Sequence, residues 1–396
     1  MLNDATQSFI RQHRFDDPQR LALHTKNFEN SDIDLTAALT QIAGRQHIRR
    51  KLPSWYDCDD LLYPPRLSLE QCSSETTARH KAACVSGTSL VDLTGGFGVD
   101  TAFLAPDFFH VVYVEKDPHL AAVAQHNFAV LGLKNITTHC GDCLDFLRTM
   151  PSVDCIYMDP ARRTAAGKKA FRIEDCEPDI LKMSDLLLEK AARVVVKLSP
   201  MLDIAAAEKA LPKLAEIHIV SVDNECKELL LFLERKAPEK SPFVRCVNYL
   251  KNASQPQSFG YYPKDYLAVG QAFAAQPQTY IYEPNSSLMK AACFAPLSLH
   301  YALQPLHPDS HLLTSEQLVA DFPGRIFRVE AVFSMSKNDL KTHLSDMAQA
   351  NITTRNFPLS ANELQKKLKL KDGGTSYLLA TTLSNGKHVL IRAAKV

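Results

Sequence analysis

The stretch Ser89-Leu90-Val91-Asp92-Leu93-Thr94-Gly95-Gly96-Phe97-Gly98 decides the fold of this chain. Its apolar start reads as a buried strand that stops in a glycine-rich turn and restarts as a helix near Val99. Glycines let the backbone turn sharply and bring bare N–H groups close to a ligand, with a helix N-terminus behind them. That geometry suits a nucleotide-like cofactor in an open α/β sheet. A dinucleotide fingerprint would read Gly-x-Gly-x-x-Gly. Here Gly96-Phe97-Gly98 is followed by Val99, Asp100 and Thr101, so the third glycine is missing. The carboxylate of Asp92, ahead of the glycines, would repel a pyrophosphate and pair with a cationic amino-acid group.

Working outward, His110-Val111-Val112-Tyr113-Val114 reads as a second strand ending in Glu115. An acid at that strand end can accept both hydroxyls of a ribose. A helix from Pro118 to Leu131 follows, with proline in its first turn. Asn135 to Cys140 is a third strand, followed by Gly141-Asp142-Cys143, and Asp154 to Met158 a fourth that leads into Asp159-Pro160. Arg193 to Leu198 continues the sheet as a β-branched buried strand, and Asp203 to Leu214 reads as a helix. Glu216 to Val222 and Leu229 to Glu234 flank a polar turn with no helix between them, so they must pair antiparallel.

These residues resemble the class I methyltransferases dependent on S-adenosylmethionine (SAM), whose cofactor carries an ammonium and a sulfonium and no phosphate. The run from Asp92 matches their first motif, with Thr94 where many members have the first glycine. The resemblance implies that Asp92, Thr94, Gly96 and Gly98 form the SAM loop, that Glu115 holds the ribose, and that Asp142 holds the adenine amino group. It also implies that Asp159 and Pro160 stand beside the transferred methyl, and that the sheet ends in an antiparallel pair.

Length and composition fit a globular chain of several domains: 396 residues, 45% hydrophobic and 22% charged. The first residues lack the apolar core of a signal peptide and no run approaches a membrane span, so a cytoplasmic protein is expected. Ten scattered cysteines suit a reducing compartment. Cys140 and Cys143 form a CxxC with no partner pair, and the histidines show no ligand spacing, so no metal is expected. Charge is uneven. Residues 321–396 carry a net +6 against −5 for the rest, which points to a polyanionic partner or to a solvated helix face around Lys366, Lys367, Lys369 and Lys371.

Residues 1–84 lack strand patterning and read as helical, and the methyltransferase-like stretch spans 85–238. Ala237-Pro238-Glu239-Lys240-Ser241-Pro242 marks a boundary. Residues 239–320 form a Pro- and aromatic-rich module in which Tyr280 to Asn285 reads as strand and turn, opening a helix from Ser286 to Phe294. Residues 321–396 read as a strand (Ile326 to Phe333), two helices (Lys337 to Ala350 and Ala361 to Leu368), and a hairpin turning at Asn385-Gly386.

A closer resemblance rests on Leu69-Glu70-Gln71-Cys72-Ser73-Ser74-Glu75, Asp92 to Thr101, Asp159-Pro160-Ala161-Arg162-Arg163, Tyr282-Glu283-Pro284-Asn285, Arg355-Asn356-Phe357-Pro358-Leu359 and Lys369 to Gly374. Together they are similar to bacterial SAM-dependent methyltransferases with a THUMP-like C-terminal domain. That implies a Rossmann-like sheet, a small ferredoxin-like module and an α+β THUMP-like end. True THUMP domains help RNA-modifying enzymes hold RNA, usually tRNA, so RNA (tRNA or rRNA) is the expected partner.

The fourth motif bears on the acceptor. Enzymes that methylate exocyclic amines use Asp/Asn-Pro-Pro and an aromatic; here Ala161 and Arg162 stand at the last two places. The carbon route through a cysteine after the fifth strand is disfavoured, because that loop reads Lys197-Leu198-Ser199-Pro200. The loop after the fourth motif carries Arg162, Arg163, Lys168, Lys169 and Arg172, a basic lip suited to phosphates and unpaired bases, or a solvated loop pairing with Glu174, Asp175 or Glu177. Asp100, Lys197 and the helix with Ser74, Thr77 and Lys81 lie near the same cleft, with structural roles equally open. The expectation is a SAM-dependent methyltransferase acting on an RNA base amine, with Asp159 positioning the amine. The alternatives are a non-catalytic SAM- or RNA-binding protein on the same scaffold, and a methyltransferase for a protein or small molecule.

Overall fold

The computed structural model describes residues 2–23, 32–162, 173–236, 241–266, 270 and 272–396. The chain divides into one unit of Met1–Ala215 with Leu229–Pro238 and a second of Glu216–Glu228 with Glu239–Val396.

The first unit is built on β1 (Gly87–Asp92), β2 (Phe108–Glu115), β3 (Ile136–Cys140), β4 (Val153–Met158) and β5 (Ala191–Leu198); β6 (Leu214–Val222) falls mostly in the second unit, and β7 (Glu225–Glu234) returns to the first from Leu229 onward. Within it β3, β2, β1, β4 and β5 lie side by side and parallel, and β7 closes β5 antiparallel. Parallel strands need helical crossovers, and capping residues start them on cue. Asp117 caps Pro118–Val130, Asp142 caps Cys143–Thr149 and Asp203 caps Ile204–Ala210, each through its carboxylate to two backbone N–H groups. The helix expected to run to Leu214 stops at Ala210, because Leu214 already starts β6. Asp223 and Asn224 both take positive φ, 49° and 62°, as the two-residue turn before β7 requires.

Strand order reverses between β1 and β4. Registers bring Asp92 level with Tyr113 and with Tyr157, and Glu115 level with Cys140, so the strand-end acids share one edge of the sheet. In such sheets ligands bind outside the C-terminal strand ends at the reversal point.

The helices before residue 84 share this unit's core. Ile48, Leu52, Trp55, Leu61 and Tyr63 pack with Phe97, Val99, Tyr113 and Phe128, and Trp55 meets Phe97 edge-on at 5.2 Å. Burying aromatic rings of this size stabilises by roughly 2–3 kcal/mol each. The N-terminal segment is therefore structural support for the glycine loop, which carries Phe97.

In the second unit, β8 (Phe243–Tyr249) runs parallel to β6 and antiparallel to β9 (Gln257–Tyr261). A separate sheet contains β10 (Tyr280–Pro284), β11 (Gln304–Pro305), β12 (Leu313–Ser315), β13 (Gly324–Phe333), β14 (Asn351–Arg355), β15 (Ser376–Thr382) and β16 (His388–Lys395). Its order is β11-β12-β10-β13-β16-β15-β14. Alternation assigns the faces. Leu379 and Ile391 join Ile281 and Phe327 on one side, while Leu378, Ala380 and Leu390 join Leu364 of the helix Ala361–Leu368 on the other. The helix expected from Ser286 to Phe294 breaks at Ala292, which takes φ 51°, and a second helix runs Phe294–His300. The helix from Lys337 ends at Leu344 rather than Ala350. Glu283, 2% exposed, accepts from Arg325 and Arg355 and thereby ties β10, β13 and β14 together.

Candidate active site

The glycine loop is wired from below. Asp92 is 1% exposed; its Oδ1 accepts the Thr94 N–H at 3.0 Å and its Oδ2 the Thr101 hydroxyl at 2.5 Å. It reaches a ligand through the loop it holds and not through open carboxylate oxygens. Burial pushes its carboxyl up to about 7 against the two hydrogen bonds, and Asp100 and Asp159 add repulsion. Between the ordinary carboxylate value and about 7 the folded chain thus holds a proton that the unfolded chain has lost. This group's contribution to stability accordingly falls as pH rises through that interval. Asp92→Asn should show a shallower decline in melting temperature from pH 5 to pH 8 than the wild type. A parallel decline would contradict the assignment.

Gly95 is required by close approach, since a Cβ there would lie 2.1 Å from the Tyr113 ring. Gly98 takes φ 83°, and its Cβ would meet Phe128 at 2.8 Å. Above the loop, the Gly96 N–H donates to Glu115 Oε2 at 2.8 Å and the Asp117 N–H to Oε1 at 2.8 Å. Glu115 is thereby fixed at the end of β2. Asp142 is exposed, its Oδ1 accepting from Leu144 and Asp145.

Asp159 follows the end of β4. Its N–H donates to the Thr94 hydroxyl at 2.5 Å, which couples the first motif to the fourth, and its Oδ2 accepts from the Lys197 ammonium. Pro160 and Ala161 lead into a short antiparallel ribbon of Ala161–Arg162 with Cys176–Glu177. Arg163, Lys168, Lys169 and Arg172 lie outside the described residues.

A second group sits behind the loop. Asp100 Oδ2 accepts from the hydroxyls of Ser73 at 2.8 Å and Tyr157 at 2.7 Å, and Lys81 Nζ lies 3.3 Å from Oδ1. Burial opposes the charge of Asp100, but Lys81, then Lys197 and the two hydroxyls, outweigh it and hold the carboxyl below its ordinary value. Lys51 donates to the carbonyls of Leu69 and Glu70 at 2.8 Å each, and burial lowers its pKa. Sequence reasoning marked Lys81, Asp100 and Lys197 without choosing a role and missed Ser73 and Tyr157. A tyrosine inside the apolar run Asp154 to Met158 was the available signal.

The reversed sheet, the glycine loop and the acids on one strand edge define a class I methyltransferase. A THUMP domain-like family model matches residues 324–395, and a ferredoxin-like domain model matches 280–323. A candidate methyltransferase from Porphyromonas gingivalis W83, known as a crystal structure, is 33% identical and aligns over 100% of both chains at a TM-score of 0.89. An uncharacterised S-adenosylmethionine-dependent methyltransferase of Mycobacterium tuberculosis is 24% identical over 81% of this chain and 84% of its own. The ribosomal RNA small subunit methyltransferase J of Bdellovibrio bacteriovorus is 31% identical over 35% of this chain and 59% of its own. The chain belongs to the bacterial SAM-dependent methyltransferases that carry a ferredoxin-like and a THUMP-like domain. No helix among the described residues is long and apolar enough to cross a membrane.

Proposed function

We propose that this enzyme methylates an amino group of an RNA base. The observation that carries the reading is Asp159, held by the Thr94 hydroxyl and Lys197 at the reversal point of the sheet with a third of its side chain exposed. The residues present fit SAM. Gly96 and Gly98 take positive φ in the turn that leads into the helix from Val99, Glu115 offers a fixed carboxylate to a ribose, and Asp142 offers one to an adenine amine. When bound, SAM supplies a methyl on a sulfonium. Transfer is an in-line displacement, so alignment and exclusion of water supply much of the acceleration. Asp159 accepts an N–H of the amine and turns its lone pair toward the methyl, while Pro160 fixes the backbone direction. Arg162, Arg163, Lys168, Lys169 and Arg172 would grip the phosphates around the base.

An RNA substrate is supported by the THUMP domain-like match, by the net +6 of residues 321–396, and by the rRNA methyltransferase relative. Lys366 and Lys367 are exposed on the helix Ala361–Leu368. Reversing both to glutamate should weaken RNA binding about tenfold at low salt and leave SAM affinity unchanged. Filter binding and calorimetry check the two halves; equal RNA affinity would remove this helix from the interface.

The test of the function is transfer of labelled methyl from SAM to total RNA from cells lacking the gene, with protein and small-molecule fractions counted alongside. Label in RNA supports the proposal. Label confined to another fraction moves the substrate there. SAM binding without transfer to any fraction favours the non-catalytic alternative.

A further inference from the structure

Lys197 lies near the C-terminal end of β5, next to the end of β4, and donates to Asp159 Oδ2. Its side chain is 14% exposed and that of Asp159 34%. Among the described residues none donates to Asp159 Oδ1, while the backbone of Asp159 is held through Thr94. An acceptor-only carboxylate and a donor-only ammonium therefore stand side by side at one spot. A carboxylate alone would recognise almost any N–H or O–H. Paired with an ammonium, it matches an edge that presents a donor next to an acceptor.

We infer that Lys197 is a substrate-reading residue, donating to the ring nitrogen adjacent to the amino group that Asp159 holds. The inference rests on the RNA-base reading above and narrows it. The amino groups of adenine, cytosine and guanine each adjoin a ring nitrogen with a lone pair; a protein lysine offers donors only. Chemistry separates the remaining edges. A carboxylate is too weak a base to strip an imide N–H or a ribose hydroxyl before attack. An amino nitrogen attacks first and sheds its proton afterwards. Its lone pair forms the N–C bond, the C–S bond breaks with its electron pair on sulfur to give S-adenosylhomocysteine, and the surplus N–H proton passes to Asp159 and then to water.

The test starts from labelled SAM and total RNA of cells lacking the gene, digested to nucleosides after transfer. Label on an amino nitrogen is expected. Lys197→Met should lower kcat/KM for RNA about 10- to 100-fold, the worth of a hydrogen bond to a charged group. SAM affinity should stay near wild type, any fall in melting temperature should leave the protein folded at the assay temperature, and Lys197→Arg should recover part of the rate. A synthetic RNA whose adjoining ring nitrogen is replaced by C–H should then cost the wild type about tenfold and Lys197→Met nothing further. Label on a ring carbon, an imide nitrogen or a ribose oxygen overturns the role of Lys197 and leaves RNA as substrate. Equal penalties for the C–H analogue in both proteins also overturn it. Absence of label from RNA despite SAM binding overturns both readings.

Discussion

Asp159→Ala should lower methyl transfer by about 10²- to 10⁴-fold, the usual worth of a positioned proton acceptor, with SAM affinity within twofold of wild type. The split follows from position. Asp159 stands beyond the end of β4, bound through its backbone to Thr94 and through its side chain to Lys197, whereas Glu115 and Asp142 belong to β2 and to the helix after β3. Removing its carboxylate leaves the backbone contact to Thr94 in place, so the glycine loop keeps its shape. What disappears is the carboxylate proposed to accept from the amine, together with the counter-charge of Lys197. Asp159→Asn should fall between the two proteins, because its amide oxygen still accepts an N–H but carries no charge. Single-turnover transfer to RNA, with calorimetric titration of SAM, checks both variants. A rate for Asp159→Ala within threefold of wild type would exclude this carboxylate from the chemistry.

The strand-end acids were legible in the sequence for a physical reason. A parallel sheet buried on both faces shows each strand as an apolar run, so the first polar residue after the run marks the edge where ligands bind. Asp92, Glu115 and Asp159 follow such runs, whereas Asp142 follows the edge strand β3, which is polar at most positions, and shows instead as the polar residue opening a helix. The helices after Asp117 and Asp203 were legible too, but the sequence reading did not single out these two acids as their caps. What sequence could not tell was depth. Asp92 reads as a ligand-facing acid, yet its two oxygens are taken by Thr94 and Thr101. Nor does period-two alternation say what the last side chain of a strand will meet, which left Lys197 undecided. Asn351 to Arg355 carries polar residues at most positions, so the sequence reading assigns it no element, although pairing with β15 makes it a strand. Links such as Ser73 to Asp100 or Tyr157 to Asp100 join residues far apart in the chain and leave no periodic trace.

Asp100→Ala should cost about 3–5 kcal/mol of stability, as breaking a buried ion pair from one side does. Lys81 is 1% exposed and lies 3.3 Å from Asp100 Oδ1, so the variant removes the buried counter-charge that Lys81 faces and the carboxylate that the Ser73 and Tyr157 hydroxyls donate to. For a unit of this size that corresponds to a fall in melting temperature of roughly 10 °C. Replacing both partners, Lys81→Met with Asp100→Leu, should recover much of the loss, because two apolar side chains need no mutual compensation. The pH dependence has the opposite sign to that of Asp92. The folded carboxyl of Asp100 titrates below its ordinary value, so its stabilisation is complete above the unfolded carboxylate range and is lost as pH falls through the lower folded value. Function follows stability here. Asp100 is in the first turn of Val99–Leu104, the helix that starts at Gly98, and tethers it to Ser73 and Lys81. Releasing that tether should weaken SAM binding by Asp100→Ala at temperatures where the variant is still folded. Urea unfolding with calorimetric SAM titration tests the chain of argument. A stability loss under about 1 kcal/mol, the size of a surface pair, would mean that the pair is solvated and that the loop stands without it.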